Sequence, residues 1–397
     1  MSRAVVVSHL YPRPGFPVGG RFVADSVAEL VANGLGVEVL VPTPWAPLGG
    51  FGSRRWEAFA ATPRVWEVDG LPVRRVWHLA VPGSHALPLT VPTLAAGLRL
   101  ALRRPAVPGA GARPHPVPRR GRHGHASRRA AAAGHLDPWG GCAESERSGP
   151  AGGLLGRVGR RALRRADVVV VNSNRTKIRV AAQFGLAPER MRVVPPGIAS
   201  SRLATAPKAK PGASGRCEIV AVGNLVALKG HAGLLRALAE DSVARLDWHF
   251  TVVGSGPERS RLAELAVALK IAHRVSFVGQ RPPEEIAGLL GGSHLFALPS
   301  VDEAWGIAWA EAQFLGLPAI ACREQGTAEI IRDGENGFLV EPGEVAELAD
   351  RLATLIANRG LRARMGACGI EVGRGLSLED SGQALVDAYQ LACDRHG

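Results

Sequence analysis

Apolar residues along the chain fall into short runs and into longer stripes with helical spacing. Ala4–Val7 and Val37–Val41 are mostly apolar runs typical of buried strands, and a Gly/Pro-rich loop and a helical stripe separate them. The stripe consists of Phe22, Val23, Val27, Leu30 and Val31. A strand, a loop, a helix and a second strand in this order form a βαβ unit, so the pattern predicts a parallel sheet.

The same alternation recurs downstream and is cleanest in the second half. In the first half it predicts strands at Asp167–Val171 and Arg192–Val194 on either side of a helix at Asn174–Phe184. Further strands are predicted at Glu218–Val222, Trp248–Val253, Val275–Val278, Leu295–Ala297 and Ala319–Ala321. Further helices are predicted at His231–Ala239, Arg259–Leu269, Pro283–Leu290, Gly306–Gly316, Gly326–Arg332, Val345–Asn358 and Leu378–Cys393.

This organisation predicts an α/β fold of two Rossmann-like domains facing a cleft, with ligands at the carboxyl ends of the strands. The length of 397 residues also favours two domains, at about 100–200 residues each. Residues 204–214 lack an apolar period and are interpreted as a linker between domains at 1–203 and 215–375. We expect residues 376–397 to form a helix that packs back toward the first domain.

Composition excludes several classes of protein. With 46% apolar residues the chain can fill two cores, so a wholly disordered protein is excluded. The five cysteines include no Cys-x-x-Cys pair, which excludes a disulfide-stapled mini-protein and a cysteine-rich zinc module. The opening apolar run is soon broken by His9 and Pro12, unlike a signal peptide, and no run is long enough to span a bilayer. We therefore expect a cytoplasmic protein.

The sharpest candidate site lies between Pro299 and Glu311. Glu303 precedes a predicted helix, and Glu311 lies inside it, ~7.5 Å beyond Gly306 at 1.5 Å per residue. Free backbone N–H groups at Gly306 and Ile307 suit a diphosphate, and the spacing to Glu311 matches the step from a diphosphate to a ribose. Taken alone, the pattern also fits an N-cap acid and a solvated helix carboxylate.

Two upstream segments strengthen the first interpretation. Lys229 follows the first strand of the second domain, where its ammonium group can reach a diphosphate as a point charge. Asn224, in the same segment, offers an uncharged hydrogen-bond donor. After the next strand, the glycines of Gly254-Ser255-Gly256-Pro257 allow a ligand to approach. Each of these signals is common in ordinary turns, so their order along the chain is what is informative.

Taken in order, these motifs resemble those of the retaining family 4 glycosyltransferases from Glu218 to about Val340. Gln325–Ile330 and Asp333–Val340 complete the set, the latter as an Asn-Gly-Leu-Val-like turn. The resemblance implies two Rossmann-like domains in the GT-B arrangement, a nucleoside-diphosphate-sugar as donor substrate, and transfer with retention. No cofactor is expected, and the lack of an Asp-x-Asp or a His/Cys cluster predicts a mechanism without a metal ion.

The resemblance also assigns roles to individual residues. Glu303 is expected to contact the transferred sugar or the leaving group, and Lys229 to stabilise the departing diphosphate, so both are candidate catalytic residues. Glu311 is expected to hold the donor ribose. In the first half, the loop before the first helix corresponds to the family's loop that faces the sugar diphosphate. The expected donor-binding residues are Gly19, Gly20, Asn224, Lys229, Gly306, Ile307 and Glu311.

Two features depart from the family pattern. Asn224 stands where many members carry an arginine, so phosphate binding depends more on Lys229 and the helix end. Residues 104–150 contain eight arginines and three acidic residues. Their net charge of +5 is part of the formal charge of +13 of the whole chain. This window has no apolar period, although the family places two strands and a helix there. By composition alone it is a disordered basic insert.

We interpret residues 105–152 as the product of a shifted reading frame. Permitted codons for Gly111–Arg122, read one nucleotide over, can spell Val-His-Ala-His-Thr-Leu-Tyr-Pro-Asp-Gly-Val-Ala, the His-bearing strand and turn that the family has there. Residues 131–140 can likewise give Leu-Pro-Leu-Val-Thr-Ser-Thr-His-Gly-Gly. One shift of the reading frame near Pro105 and a second, restoring shift near Gly152 account for both segments. The cause is either an error in the sequence or a damaged gene. Resequencing the locus tests this hypothesis.

The expected function is therefore a glycosyltransferase acting on a glycan, a lipid-linked or a small-molecule acceptor. Two alternatives stay open: an inactive, degenerate relative with a scrambled first half, and a nucleotide-sugar epimerase, which needs no acceptor. A nucleic-acid partner is not expected, because aromatic residues make up only 5% of the chain. The basic helix Arg157–Arg165 is compatible with contact to the inner face of a membrane, and equally with a solvated helix face.

Overall fold

The computed structural model describes residues 3–8, 10–15, 19–45, 54–79, 93–94, 96–98, 100–102, 160–161, 163–206 and 215–394. The segment interpreted as frame-shifted and the predicted linker from residue 207 onward lie outside the described residues. The chain forms two compact units. The first unit comprises Met1–Val171, Lys177–Val194 and Glu379–Gly397, and the second comprises Asn172–Thr176 and Pro195–Leu378.

The first unit contains a four-stranded sheet in the order β1-β2-β4-β3. Its strands are β1 (Arg3–Val7), β2 (Gly36–Pro44), β3 (Val65–Val68) and β4 (Leu71–His78). The first two confirm the predicted parallel pair, and β4 extends it, whereas β3 is antiparallel to β4. This hairpin, and a helix at Arg54–Ala61, were not predicted.

The helix Arg21–Ala32 follows β1 as predicted and buries Ala24 and Val27 against the sheet. It begins after Gly20, which has a φ of 73°. A Cβ at Gly20 would lie 2.3 Å from the carbonyl carbon of Leu10, so only glycine fits this position.

The first unit also contains a separate two-stranded parallel sheet of β5 (Val169–Val171) and β6 (Met191–Val193), which are joined through the helix Asn174–Phe184. The last helix, Leu378–Asp394, packs Ala388 and Ala392 against a cluster formed by Val168, Val170 and Val194.

The second unit is built on a six-stranded sheet in the order β12-β11-β10-β7-β8-β9, and every pairing in it is parallel. The strands are β7 (Cys217–Val222), β8 (Trp248–Val253), β9 (Val275–Gly279), β10 (Leu295–Ala297), β11 (Ala319–Cys322) and β12 (Gly337–Val340). The helices are Ser200–Ala204, His231–Ala239, Asp241–Ala244, Arg259–Ala268, Pro283–Gly291, Ile307–Phe314, Val345–Ala357 and Arg359–Arg374. The predicted α/β class with parallel sheets is confirmed.

One local prediction in the second unit was wrong. The segment predicted as a helix at Gly326–Arg332 forms only a single 3₁₀ turn at Gly326–Glu329, because the Asn336 side chain binds the backbone beyond it. Asn336 donates to the Ile330 carbonyl at 3.0 Å and accepts from the Arg332 N–H at 2.7 Å. The Asn-Gly turn leads directly into β12, which pairs with β11 at the edge of the sheet.

No helix in the described part of the chain is long and apolar enough to cross a bilayer.

Candidate functional site

Lys229 and Glu303 meet at the carboxyl ends of two neighbouring parallel strands of the second unit. Lys229 ends the 3₁₀ turn Ala227–Lys229 after β7, and Glu303 lies in the loop after β10. Lys229 Nζ forms an ion pair with Glu303 Oε2, and the two side chains are only 15% and 12% exposed. The Ser300 hydroxyl donates to the same carboxylate oxygen at 3.3 Å. The two candidate catalytic residues are therefore brought together as a partly desolvated pair.

The backbone around Lys229 is fixed by close contacts with the β10 loop. Gly230 has a φ of 73°, and a Cβ there would lie 2.2 Å from the Pro299 carbonyl oxygen. The Val301 N–H donates to the Leu228 carbonyl at 2.8 Å. The Lys-Gly of the sequence motif is thus explained physically, because no residue with a side chain fits after Lys229.

The Glu303 backbone is held by the segment that follows β11. Its N–H donates to the Gln325 side chain at 3.1 Å, and its carbonyl accepts from the Gly326 N–H at 2.8 Å. A Cβ at Gly326 would lie 2.0 Å from the Ala304 carbonyl oxygen. These contacts fix the loop that carries the carboxylate.

The helix Ile307–Phe314 begins beside the ion pair. Gly306 is its N-cap, with a φ of 103° and no side-chain capping hydrogen bond. The N–H groups of the first turn carry the partial positive charge of the helix dipole. No side chain at the N-cap position accepts a hydrogen bond from them. The Lys229 ammonium lies 6.0 Å from the ring centroid of Trp309 in this turn, and Glu311 follows on the same helix, partly buried.

His231 is a buried polar residue next to this site that sequence reasoning did not single out. It is the first residue of the helix His231–Ala239 and is 2% exposed. Burial lowers the pKa of its imidazole to about 4; the Asn224 backbone acts in the opposite direction, and the Lys229 charge lowers the pKa further. The ring is therefore uncharged at neutral pH. Its position directly after Lys-Gly was the available signal.

The two glycines after β8 are explained by backbone packing. Gly254 has a φ of 144°, and a Cβ there would lie 1.9 Å from the Gly223 carbonyl oxygen. Gly256 has a φ of 159°, and its Cβ would lie 2.4 Å from the Leu225 carbonyl oxygen. These glycines bring the loops after β7 and β8 into direct backbone contact.

The other predicted donor-binding residues are distributed over both units. Asn224 is exposed in the loop after β7, and its carbonyl accepts from the Val226 N–H at 3.0 Å. Gly19 and Gly20 lie at the start of the first helix of the first unit. Within the described residues, no group of three or more His, Cys, Asp or Glu side chains is arranged to hold a metal ion.

Two family models match consecutive parts of the chain. The model of the glycosyltransferase family 4 matches residues 19–202, and the model of the glycosyl transferases group 1 matches residues 205–372.

Curated relatives and solved structures agree with these matches. The D-inositol 3-phosphate glycosyltransferase of Nocardia farcinica is 33% identical over 241 residues, which cover 57% of this chain and 53% of that protein. The chain thus spans about half the length of the curated relatives it matches. Sucrose-phosphate synthase from Thermosynechococcus elongatus superimposes with a TM-score of 0.72 at 18% identity, covering 98% of both chains. HepE from Anabaena, solved in complex with UDP-glucose, gives a TM-score of 0.66 at 17% identity, covering 98% of this chain and 99% of HepE.

The fold is that of the GT-B glycosyltransferase structures. The two family models, which together match residues 19–202 and 205–372, support the assignment of the chain to the family 4 type of two-domain glycosyltransferases.

Proposed function

We propose that the chain is a retaining, metal-independent glycosyltransferase that moves a sugar from a nucleoside-diphosphate-sugar to a glycan, lipid-linked or small-molecule acceptor. The observation that carries this proposal is the position of the Lys229–Glu303 ion pair beside the uncapped first turn of the helix Ile307–Phe314. An ammonium group and a helix N-terminus together supply the positive potential that a diphosphate requires.

In this proposal the donor diphosphate competes with Glu303 for Lys229. The Lys229 ammonium and the N–H groups of Gly306 and Ile307 neutralise the diphosphate as negative charge develops on it, so no divalent cation is needed. Glu303, released from the ion pair, turns to the transferred sugar or the leaving group. Asn224 contributes an uncharged donor. A carboxylate ion-paired in the free protein is thus available when the donor binds.

Glu311 is proposed to accept hydrogen bonds from the ribose hydroxyls of the donor. Its place one turn beyond Ile307, on the same helix, supports this role because a rigid helix fixes its distance from the diphosphate end. In transfer with retention, the bond between the anomeric carbon and the diphosphate oxygen breaks, and the acceptor oxygen bonds to that carbon from the same face. The acceptor proton passes to the leaving phosphate oxygen.

Gly19 and Gly20 of the first unit stay predicted donor-binding residues, and the first unit is proposed to bind the acceptor. Four arginines of its basic segment are exposed, whereas Leu163 among them is buried; the arginines are Arg160, Arg161, Arg164 and Arg165. A basic, solvent-facing surface supports contact with an anionic membrane that carries a lipid-linked acceptor. HepE, as a structural neighbour solved with UDP-glucose, makes UDP-sugars the first donors to test.

The deciding experiment incubates the protein with UDP-, GDP- and ADP-sugars and measures release of the nucleoside diphosphate. A version with the frame of residues 105–152 restored is assayed beside the chain as given. We expect release from one donor class, and retention at the anomeric carbon by NMR once an acceptor is found.

Activity of the restored version alone would favour the degenerate alternative for the chain as given. Conversion of the donor sugar to its epimer without acceptor would favour the epimerase, and no donor binding by either version would refute the proposal.

A further inference from the structure

A serine, a histidine and a glutamate line up across three neighbouring strands at the amino-terminal end of the second unit's sheet. His249 Nε2 lies 3.0 Å from the Ser276 hydroxyl oxygen, and His249 Nδ1 lies 3.3 Å from Glu218 Oε2. Each is the second residue of its strand, Glu218 in β7, His249 in β8 and Ser276 in β9. The group is therefore separate from the Lys229 site, which lies at the carboxyl ends of the strands.

The register of the sheet places the three side chains on one face. Glu218 and His249 are in direct register. Ser276 is in register with Thr251, two residues beyond His249, and side chains two residues apart on a strand share a face. The Arg216 Nε–H donates to Glu218 Oε1 at 2.8 Å, which leaves Oε2 for the histidine. The His249 and Glu218 side chains are 21% and 25% exposed, so a small molecule can reach them although most of their surface is shielded from water.

This arrangement is the one that activates a serine as a nucleophile: a hydroxyl, a base, and a carboxylate that orients the base. An imidazole with its hydrogen on Nδ1 donates toward Glu218 and accepts the Ser276 hydroxyl proton at Nε2. Among the described strands β9 lies at the edge of the sheet, so every second N–H group of β9 points away from β8. One of the two consecutive N–H groups of Ser276 and Phe277 therefore points out of the sheet, where it can donate to an oxyanion beside the serine.

We propose that Ser276, His249 and Glu218 form a second active centre, which hydrolyses small activated esters. Ser276 Oγ bonds to the ester carbonyl carbon while His249 takes the hydroxyl proton. The bond from that carbon to the leaving oxygen then breaks, and this oxygen receives the proton from His249. Water next gives a proton to His249 and bonds to the acyl carbon; the carboxylic acid leaves, and the proton returns to Ser276 Oγ. Glu218 stays ionised throughout and stabilises the protonated ring.

The test treats the folded protein with a fluorophosphonate, whose phosphorus bonds to an activated serine oxygen as fluoride leaves, and locates the modified residue by mass spectrometry. Hydrolysis of p-nitrophenyl acetate is measured in parallel. Ser276→Ala, His249→Phe and Glu218→Gln remove the nucleophile, the base and the charge of the orienting group. Ser293→Ala is the matched control, because this serine of the same unit donates its hydroxyl proton to the Leu289 carbonyl at 2.7 Å. Heat-unfolded protein is the second control.

We expect modification at Ser276, and only in the folded protein. His249→Phe should slow both labelling and ester hydrolysis by about 100-fold or more, the scale of general base catalysis, and Glu218→Gln should slow both by a smaller factor. Ser276→Ala should reduce hydrolysis to the rate of the unfolded protein, and Ser293→Ala should change neither reaction. Absence of label at Ser276, labelling of His249→Phe at an unchanged rate, or undiminished hydrolysis by Ser276→Ala would overturn the inference. The assays contain no nucleotide, so their outcome is independent of the proposed glycosyl transfer.

Discussion

Lys229 and Glu303, 74 residues apart in the sequence, form an ion pair in which each side chain is more than four-fifths buried. The pair exists because β7 and β10 are neighbours in a parallel sheet, so the loops at their carboxyl ends meet. In the proposed function, Glu303 has two states: it is paired with Lys229 in the free protein and released when a diphosphate takes its place.

Substitutions in this pair should therefore separate binding from turnover. Glu303→Gln removes the internal competitor for Lys229, so we expect tighter binding of the nucleoside diphosphate together with a loss of transfer. Lys229→Ala should weaken the diphosphate by about 10–100-fold, because hydrogen bonds to charged groups contribute about 1.5–3 kcal/mol. Calorimetry and donor turnover measure both effects. Weaker binding by Glu303→Gln would contradict the competition that we describe.

Substitution of Glu311 should change how the protein binds the ribose of the donor. Glu311→Ala is expected to raise the donor KM sharply, because the variant loses a carboxylate acceptor for the ribose hydroxyls. The unsubstituted protein should discriminate against 2′-deoxy nucleotides, and the variant should not. Donor kinetics like those of the unsubstituted protein would rule out this role.

We expect Gly230 to tolerate no side chain. Gly233, in the helix that follows, should accept one. Gly230 has a left-handed backbone conformation, and the Cβ of Gly230→Ala would lie 2.2 Å from the Pro299 carbonyl oxygen. We therefore expect this variant to lose about 3 kcal/mol or more of unfolding free energy and to bind the donor more weakly. At Gly233 nothing lies within 4 Å of a Cβ, and alanine there should stabilise the helix by about 0.5–1 kcal/mol. Chemical denaturation compares the two, and equal stabilities would contradict the packing.

The pH dependence of stability should report the buried His231. Its pKa is about 4 in the folded protein and near 6.5 when unfolded, so the unfolded state takes up a proton first as pH falls. The stabilisation present above pH 6.5 should therefore be lost progressively between pH 6.5 and 4, by about 3 kcal/mol in total. His231→Phe removes this contribution, so its unfolding free energy should fall less over that range. Parallel curves for the two proteins would show that His231 does not titrate as described.

Much of the second unit was predictable because its strands and helices carry regular apolar periods. The helix His231–Ala239 and the strand Trp248–Val253 lie where the pattern placed them. The β3–β4 hairpin was missed because β3 is only four residues long, although Asp69-Gly70 is a strong hairpin signal and both residues have positive φ.

The candidate site was only partly predictable, since its chemistry depends on contacts between distant segments. The motif spacing identified Lys229 and Glu303 individually, but not that they pair. Likewise, periodicity at Gly326–Arg332 indicated a helix, and the competing hydrogen bonds of Asn336 from beyond the segment decided otherwise.

The direct backbone contact between the loops after β7 and β8 restricts how this protein can be altered. Because Gly254 and Gly256 lie against the carbonyl oxygens of Gly223 and Leu225, neither loop can be rebuilt alone. Attempts to engineer a new sugar or base preference should therefore leave these four positions untouched and vary the exposed Asn224 and Ser255 between them.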